Sequence, residues 1–135
     1  MSLLLAIETT TKNCSVAVFD KNKLLSFNEQ NSAEYSHAEK LTIFIQRVLE
    51  KTNITLKEID AIVLSMGPGS YTGLRIGTST AKGLCYALDI PLISLSTLKV
   101  MASVVSKKHP QYKYYCPMLE ARRMEVFSSI YDRFN

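Results

Sequence analysis

Apolar residues change their spacing several times along this chain, and each change marks an element. Leu3 to Glu8, LLLAIE, is a short apolar run ending in a carboxylate and predicts a central strand. Cys14 to Asp20, CSVAVFD, is rich in β-branched residues, and the polar turn TTTKN before it makes the two runs a hairpin. KLLSFNEQ, Lys23 to Gln30, follows the turn DKNK as a third, edge-like strand. From Ser36 the spacing becomes helical over about 36–51. Leu41, Phe44, Ile45, Val48 and Leu49 share one side of a 3.6-residue wheel, while Ile43 lies opposite among Glu39, Arg47 and Glu50. Ser36 and Glu39 have capping-box spacing, and Thr55 and Glu58 repeat it before a short turn.

DAIVLSMG (Asp60 to Gly67) and PLISLS (Pro91 to Ser96) read as buried strands. Helices are expected over about 73–88 and from about Thr97 to Lys107, the latter ending before Pro110. The order β-β-β-α-β-α-β-α joins a meander to helical crossovers and predicts an α/β fold with a mixed five-stranded sheet. It resembles in topology the ribonuclease-H-like half of the actin, sugar-kinase and Hsp70 superfamily. Residues Tyr115 to Asp132 look like a second copy of the first hairpin, with Glu120 in the place of Glu8 and Asp132 in that of Asp20. The expected organisation is a first lobe over 1–110 and the start of an incomplete second lobe over 111–135.

Composition narrows the function classes. Among 135 residues 47% are apolar, which excludes a disordered chain, and the net charge is a mild +4. The densest basic spots are Lys107-Lys108 and Arg122-Arg123, and each reads as a solvated helix end or hairpin turn rather than a phosphate contact. Cys14, Cys85 and Cys116 lack metal-ligand spacing and sit in apolar surroundings, so buried reduced thiols are expected. No segment is long enough to span a bilayer, and LLLAI is too short for a signal core; a reducing cytoplasm fits.

The stretch SMGPGSYTGLRIGTSTAKG, Ser65 to Gly83, runs from strand through tight turn into helix, the layout that holds phosphate on a helix N-terminus. The specific phosphate signatures fail. Gly69 and Gly73 do not have G-x-x-x-x-G-K-[ST] spacing, Leu74-Arg75 follow where Lys-Ser/Thr is needed, and G-x-G-x-x-G is missed by one place. What remains is a helix cap at Ser70 or Thr72 and a weak anion site at Ser70, Thr72 and Gly73, with no cofactor expected. On the following helix Leu74, Gly77, Ala81, Leu84, Cys85 and Leu88 share one face, and Ile76, Thr80, Gly83 and Ala87 an adjoining one. The polar stripe of Arg75, Ser79, Lys82 and Tyr86 is narrow. So wide an apolar or small arc predicts cover from the sheet and from a partner, with Gly77, Ala81 and Gly83 admitting a close backbone.

Together LLAIETTTKNCSVAVFD, GPGSYTGLRIGTSTAKGL, PLISLSTL and EARRMEVF closely resemble the TsaB (YeaZ) family, accessory subunits in making threonylcarbamoyladenosine in tRNA. The resemblance covers essentially all 135 residues, although family members carry a complete second lobe, so a truncated chain is expected. It implies a non-catalytic scaffold that pairs with the catalytic subunit TsaD through first-lobe helices, with the ATPase TsaE acting on the assembly and tRNA contacted only indirectly. Ile43, Tyr71, Arg75, Ile76, Ser79, Thr80, Gly83 and Ala87 would form that interface, and alone the same faces would make a homodimer. Arg75 has a second reading, an ion pair within the lobe. TsaD-like proteins hold a metal with two histidines four apart; the matching positions here are Thr97 and Met101, poor ligands, so no metal is expected. The alternative functions are an ATP-dependent phosphotransferase of the sugar-kinase type, with Glu8 and Thr9 to Thr11 at its hairpin, or a protein of the older metal-dependent glycoprotease label.

Overall fold

The computed structural model describes residues 2–31 and 37–132. Strand β1 (Leu3–Glu8) is central, as its apolar run requires. It pairs antiparallel with β2 (Asn13–Asp20), which pairs antiparallel with β3 (Lys23–Asn31). On its other side β1 runs parallel to β4 (Ala61–Ser65), and β4 runs parallel to β5 (Leu92–Leu95). The sheet order is therefore β3-β2-β1-β4-β5, and the mixed sheet expected from the element order is present.

Helices α1 (His37–Thr52) and α2 (Tyr71–Leu88) pack on one face of this sheet. Side chains alternate across a strand, so Leu3, Leu5 and Ile7 point to the helices together with Cys14, Val16 and Val18. They close a single core with Leu41, Phe44, Ile45, Val48 and Leu49 of α1. Burying side chains of this size stabilises by roughly 1.5–3 kcal/mol each, so this layer dominates the stability of the lobe. On the opposite face one row runs Phe27–Ala17–Ala6–Val63–Ile93 across all five strands, with Phe27 and Ile93 exposed at its ends. Helix α3 (Thr97–Lys108) leaves the end of β5 and buries Thr97, Leu98 and Ala102.

Several expectations are corrected. β5 is an edge strand with Ile93, Ser94 and Leu95 exposed, because nothing pairs with its outer side, whereas β4 is buried as expected. α2 begins at Tyr71, one turn-half earlier than its apolar periodicity suggests, since its first residues are polar and exposed. Only Cys14 is a buried thiol; Cys85 is half-buried and Cys116 exposed. The Ser36 cap lies outside the described residues. At the short turn Leu56–Glu58, the Glu58 carboxylate accepts the Thr55 N–H and the Thr55 hydroxyl, each at 2.8 Å.

The repeated hairpin exists but in broken form. Strand β6 (Tyr114–Tyr115) pairs with β9 (Tyr131–Asp132), and β7 (Met118–Glu120) with β8 (Val126–Ser128). Its register also departs from the first copy. Asp20 stands opposite Leu3, whose counterpart is Tyr115, but Asp132 stands opposite Tyr114, one residue earlier.

Candidate functional site

The Ser65–Gly83 stretch meets the turn of the first hairpin in a tight seam. Ser70 caps α2, its Oγ accepting the Gly73 N–H at 3.2 Å, while Thr72 is exposed in the first turn and takes no part in that cap. The Ser70 N–H donates to the Thr10 carbonyl at 2.7 Å, and the Thr9 hydroxyl donates to the Gly73 carbonyl at 2.7 Å. Two amides and one carbonyl at the start of α2 are thus engaged by the protein itself.

The glycines make this closeness possible. A Cβ on Gly69 would fall 2.5 Å from the Thr10 carbonyl oxygen, and one on Gly77 would fall 2.3 Å from Thr9 Oγ1. Both distances are far inside van der Waals contact, so the helix and the hairpin turn fit only without those side chains. Gly77 and Ala81 therefore face inward and do not receive a partner's backbone, which corrects that expectation for these two positions. Gly83 differs: nothing lies within 4 Å of its missing Cβ.

Glu8 is held from both sides. Thr10 donates its N–H at 2.8 Å and its hydroxyl to Oε1, and the Ser65 hydroxyl donates to Oε2. Sequence reasoning saw Glu8 as a possible phosphotransfer carboxylate and missed this clasp. The available signal was a serine ending the neighbouring parallel strand, opposite a strand-ending glutamate followed by threonines.

Burial is the main reason the Cys14 thiol is pushed up, with Glu8 adding and Lys40 opposing; burial also raises the Cys85 thiol. Neither is a low-pKa nucleophile. At the positions that resemblance assigns to metal ligands, Thr97 is buried with a hydroxyl lacking a hydrogen-bond partner among the described residues, and Met101 is half-buried. A hydroxyl and a thioether are an unsuitable donor pair for a hard or borderline divalent ion. No group of three His, Cys, Asp or Glu able to hold a metal occurs among the described residues. No described helix is long and apolar enough to cross a membrane.

The expected interface residues fall into two sets. Ile43 of α1 and Tyr71, Arg75, Ser79, Gly83 and Ala87 of α2 are exposed, with Tyr71 at 75%. Ile76 and Thr80 are half-buried, and Ile76 packs against the core. The Arg75 guanidinium lies 5.5 Å from the Tyr71 ring centroid, a cation–π contact that neither earlier reading anticipated. Between the two helices runs an open groove of about 700 Å³, lined by apolar side chains including Ile45, Leu49, Ile54, Leu56 and Leu84, with Thr80 beside them.

Comparison with known proteins agrees with this geometry. The family model for TsaD, tRNA N6-adenosine threonylcarbamoyltransferase, matches residues 28–135. The tRNA threonylcarbamoyladenosine biosynthesis protein TsaB of Haemophilus influenzae is 34% identical over 126 residues, which are 93% of this chain and 52% of that protein. TsaB of Escherichia coli is 33% identical, over 96% of this chain and 55% of its own length. Among solved structures, YeaZ from Pseudomonas aeruginosa superposes with a TM-score of 0.86 at 30% identity, covering 98% of this chain and 60% of that one. A Thermus thermophilus RuvC in complex with a Holliday junction substrate shares the fold alone, with a TM-score of 0.53 at 9% identity. The chain spans little more than half the length of these two curated relatives.

Proposed function

The chain belongs to the family of the TsaD model, among its TsaB (YeaZ) members, and from that premise we propose that it is a non-catalytic scaffold in threonylcarbamoyladenosine synthesis on tRNA. It pairs with TsaD through α1 and α2, TsaE acts on the assembly, and the complex works in the cytoplasm. Residues 1–110 are its first lobe and 111–135 the start of a second.

The observation that carries this reading is the open side of α2. Gly83 has empty space where a side chain would stand, Ala87 is exposed beside it, and an apolar groove separates this edge from α1. Small residues flanking an apolar groove suit close helix-on-helix packing. Ile43, Tyr71, Arg75, Ile76, Ser79 and Thr80 extend the same contact, and in the absence of TsaD it closes on a second copy as a two-fold dimer. Glu8, held by Thr10 and Ser65, supports a structural rather than a phosphotransfer role for the hairpin carboxylate. Any anion binding at Ser70, Thr72 and Gly73 is weak on this reading, because the Ser70 and Gly73 amides already have partners.

Co-elution with TsaD tests the proposal, with Gly83→Arg as the variant. The parent chain is expected to elute with TsaD and the variant alone, while the variant's thermal midpoint is no lower than the parent's. A chain that ignores TsaD and hydrolyses ATP by itself would replace this reading with the phosphotransferase one.

A further inference from the structure

No Asp or Glu occurs between Asp89 and Glu120, while Lys99, Lys107, Lys108 and Lys113 do. Three of those lysines lie within seven residues. Lys107 and Lys108 end α3, whose cap His109 donates its N–H to Val105 at 2.8 Å. The chain then turns back around one buried phenol. The Tyr115 hydroxyl is within hydrogen-bond distance of the His109 carbonyl at 2.7 Å and the Tyr112 carbonyl at 3.0 Å, tying residues 109–115 into a compact turn. Lys113 lies within that turn. The turn also leaves two aromatic rings in solvent, Tyr112 at 58% and Tyr114 at 59%, with Lys113 Nζ 5.2 Å from the Tyr114 centroid. Asp132, opposite Tyr114 in the strand register, offsets part of the charge.

Lysines interleaved with exposed aromatics are the chemistry of a strand of nucleic acid. Ammonium groups follow phosphates, and rings stack on unpaired bases. Of the exposed apolar residues of this segment, which include Val126, Phe127 and Ile130, Tyr112 and Tyr114 are the two that flank Lys113. We propose that Lys107, Lys108 and Lys113 with Tyr112 and Tyr114 form a direct RNA contact, binding a single-stranded or loop segment through phosphates and stacking. The choice of RNA rests on the tRNA role proposed above; the surface itself does not. On this proposal tRNA touches the protein directly and not only through its partners.

The test is fluorescence anisotropy of an end-labelled, unmodified tRNA transcript with the full chain across potassium chloride concentrations. Replacing Lys107, Lys108 and Lys113 by alanine is expected to weaken binding at least about tenfold at low salt and to lower the slope of log K against log salt by about 2, near 0.7 per lost phosphate contact. Tyr112→Ala with Tyr114→Ala is expected to cost at least about thirtyfold with the slope unchanged. Lys21→Ala with Lys23→Ala, in the β2–β3 turn and at the first residue of β3, serves as the charge control and is expected to stay within about twofold. Equal losses from that control, an unchanged slope in the triple variant, or no salt-dependent binding by the parent chain would each overturn the proposal. Co-elution of the triple variant with TsaD separates the two readings. Pairing kept with RNA binding lost supports the contact, whereas pairing lost with RNA binding kept makes the surface a protein contact and overturns it.

Discussion

The two hairpins share a sequence pattern and have different fates. In the first, β1 and β2 pair without interruption from Leu3–Asp20 to Glu8–Ser15, and every second residue is buried. In the second, the pairing breaks into β6–β9 and β7–β8, and Val126, Phe127 and Ile130 are exposed at 52%, 47% and 72%. Their turns differ as well. Thr9 and Thr10 of the first are buried and hydrogen-bonded to α2 and Glu8. Three successive non-glycine residues of the second, Arg122, Arg123 and Met124, take left-handed backbone conformations, each costing roughly 1–2 kcal/mol. Alternating apolar residues thus specify a strand pair, but neighbours decide whether it is continuous. The first hairpin has β4 beside it and two helices over it; the main contacts of the second are among its own strands and with α3.

The sharpest way to break this comparison is to truncate one apolar side chain in each hairpin. Leu5→Ala removes a fully buried side chain and is expected to cost about 2–5 kcal/mol by urea unfolding. Phe127→Ala, in the second, should fall within about 0.5 kcal/mol. Equal losses would mean that both hairpins are packed.

A smaller effect tests the seam between α2 and the first turn. Gly77→Ala drives a Cβ into Thr9 and is expected to be net destabilising, overpacking of about 1–3 kcal/mol exceeding the roughly 1 kcal/mol that alanine gains in a helix. Gly83→Ala, on the same helix but facing open space, should instead stabilise by about 0.5–1 kcal/mol. The same sign for both would remove the seam as the reason for the glycine at position 77.

The smallest effect concerns the turn that returns the chain to β4. Hydrogen bonds from the Thr55 N–H and then the Thr55 hydroxyl hold the Glu58 carboxyl below its ordinary value. A depressed folded value means the contribution is present above the unfolded carboxylate range and is lost as pH falls through the folded one. Thermal midpoints measured from neutral to acid pH should therefore decline slightly less for Glu58→Gln than for the parent chain. An identical decline would show that the turn does not depend on that charge.

Much of the lobe was legible because its elements are strongly periodic. Five strands, their order of types, the helix-facing residues of α1 and the central place of β1 all follow from spacing alone. Burial of β5 was misread because an apolar run of four or five residues looks alike at the centre and at the edge of a sheet. The inward use of Gly77 was misread for a related reason: a helical wheel groups small residues without saying which of them meets the sheet. Glu8, Thr10 and Ser65 lie on two strands far apart in the chain, so their clasp had no local signature.

What the amino-acid order determines here is therefore local and periodic: strand, helix, turn, and the family they resemble. Distances between parts remote in sequence were decided only by the tertiary structure. It turned a phosphate-loop layout into a glycine seam, drew a strand-end carboxylate into an internal clasp, and left Gly83 open while closing Gly77. Side-chain identity sets what a residue prefers, but contact is a property of pairs, and those pairs exist only once the sheet has set its order and register.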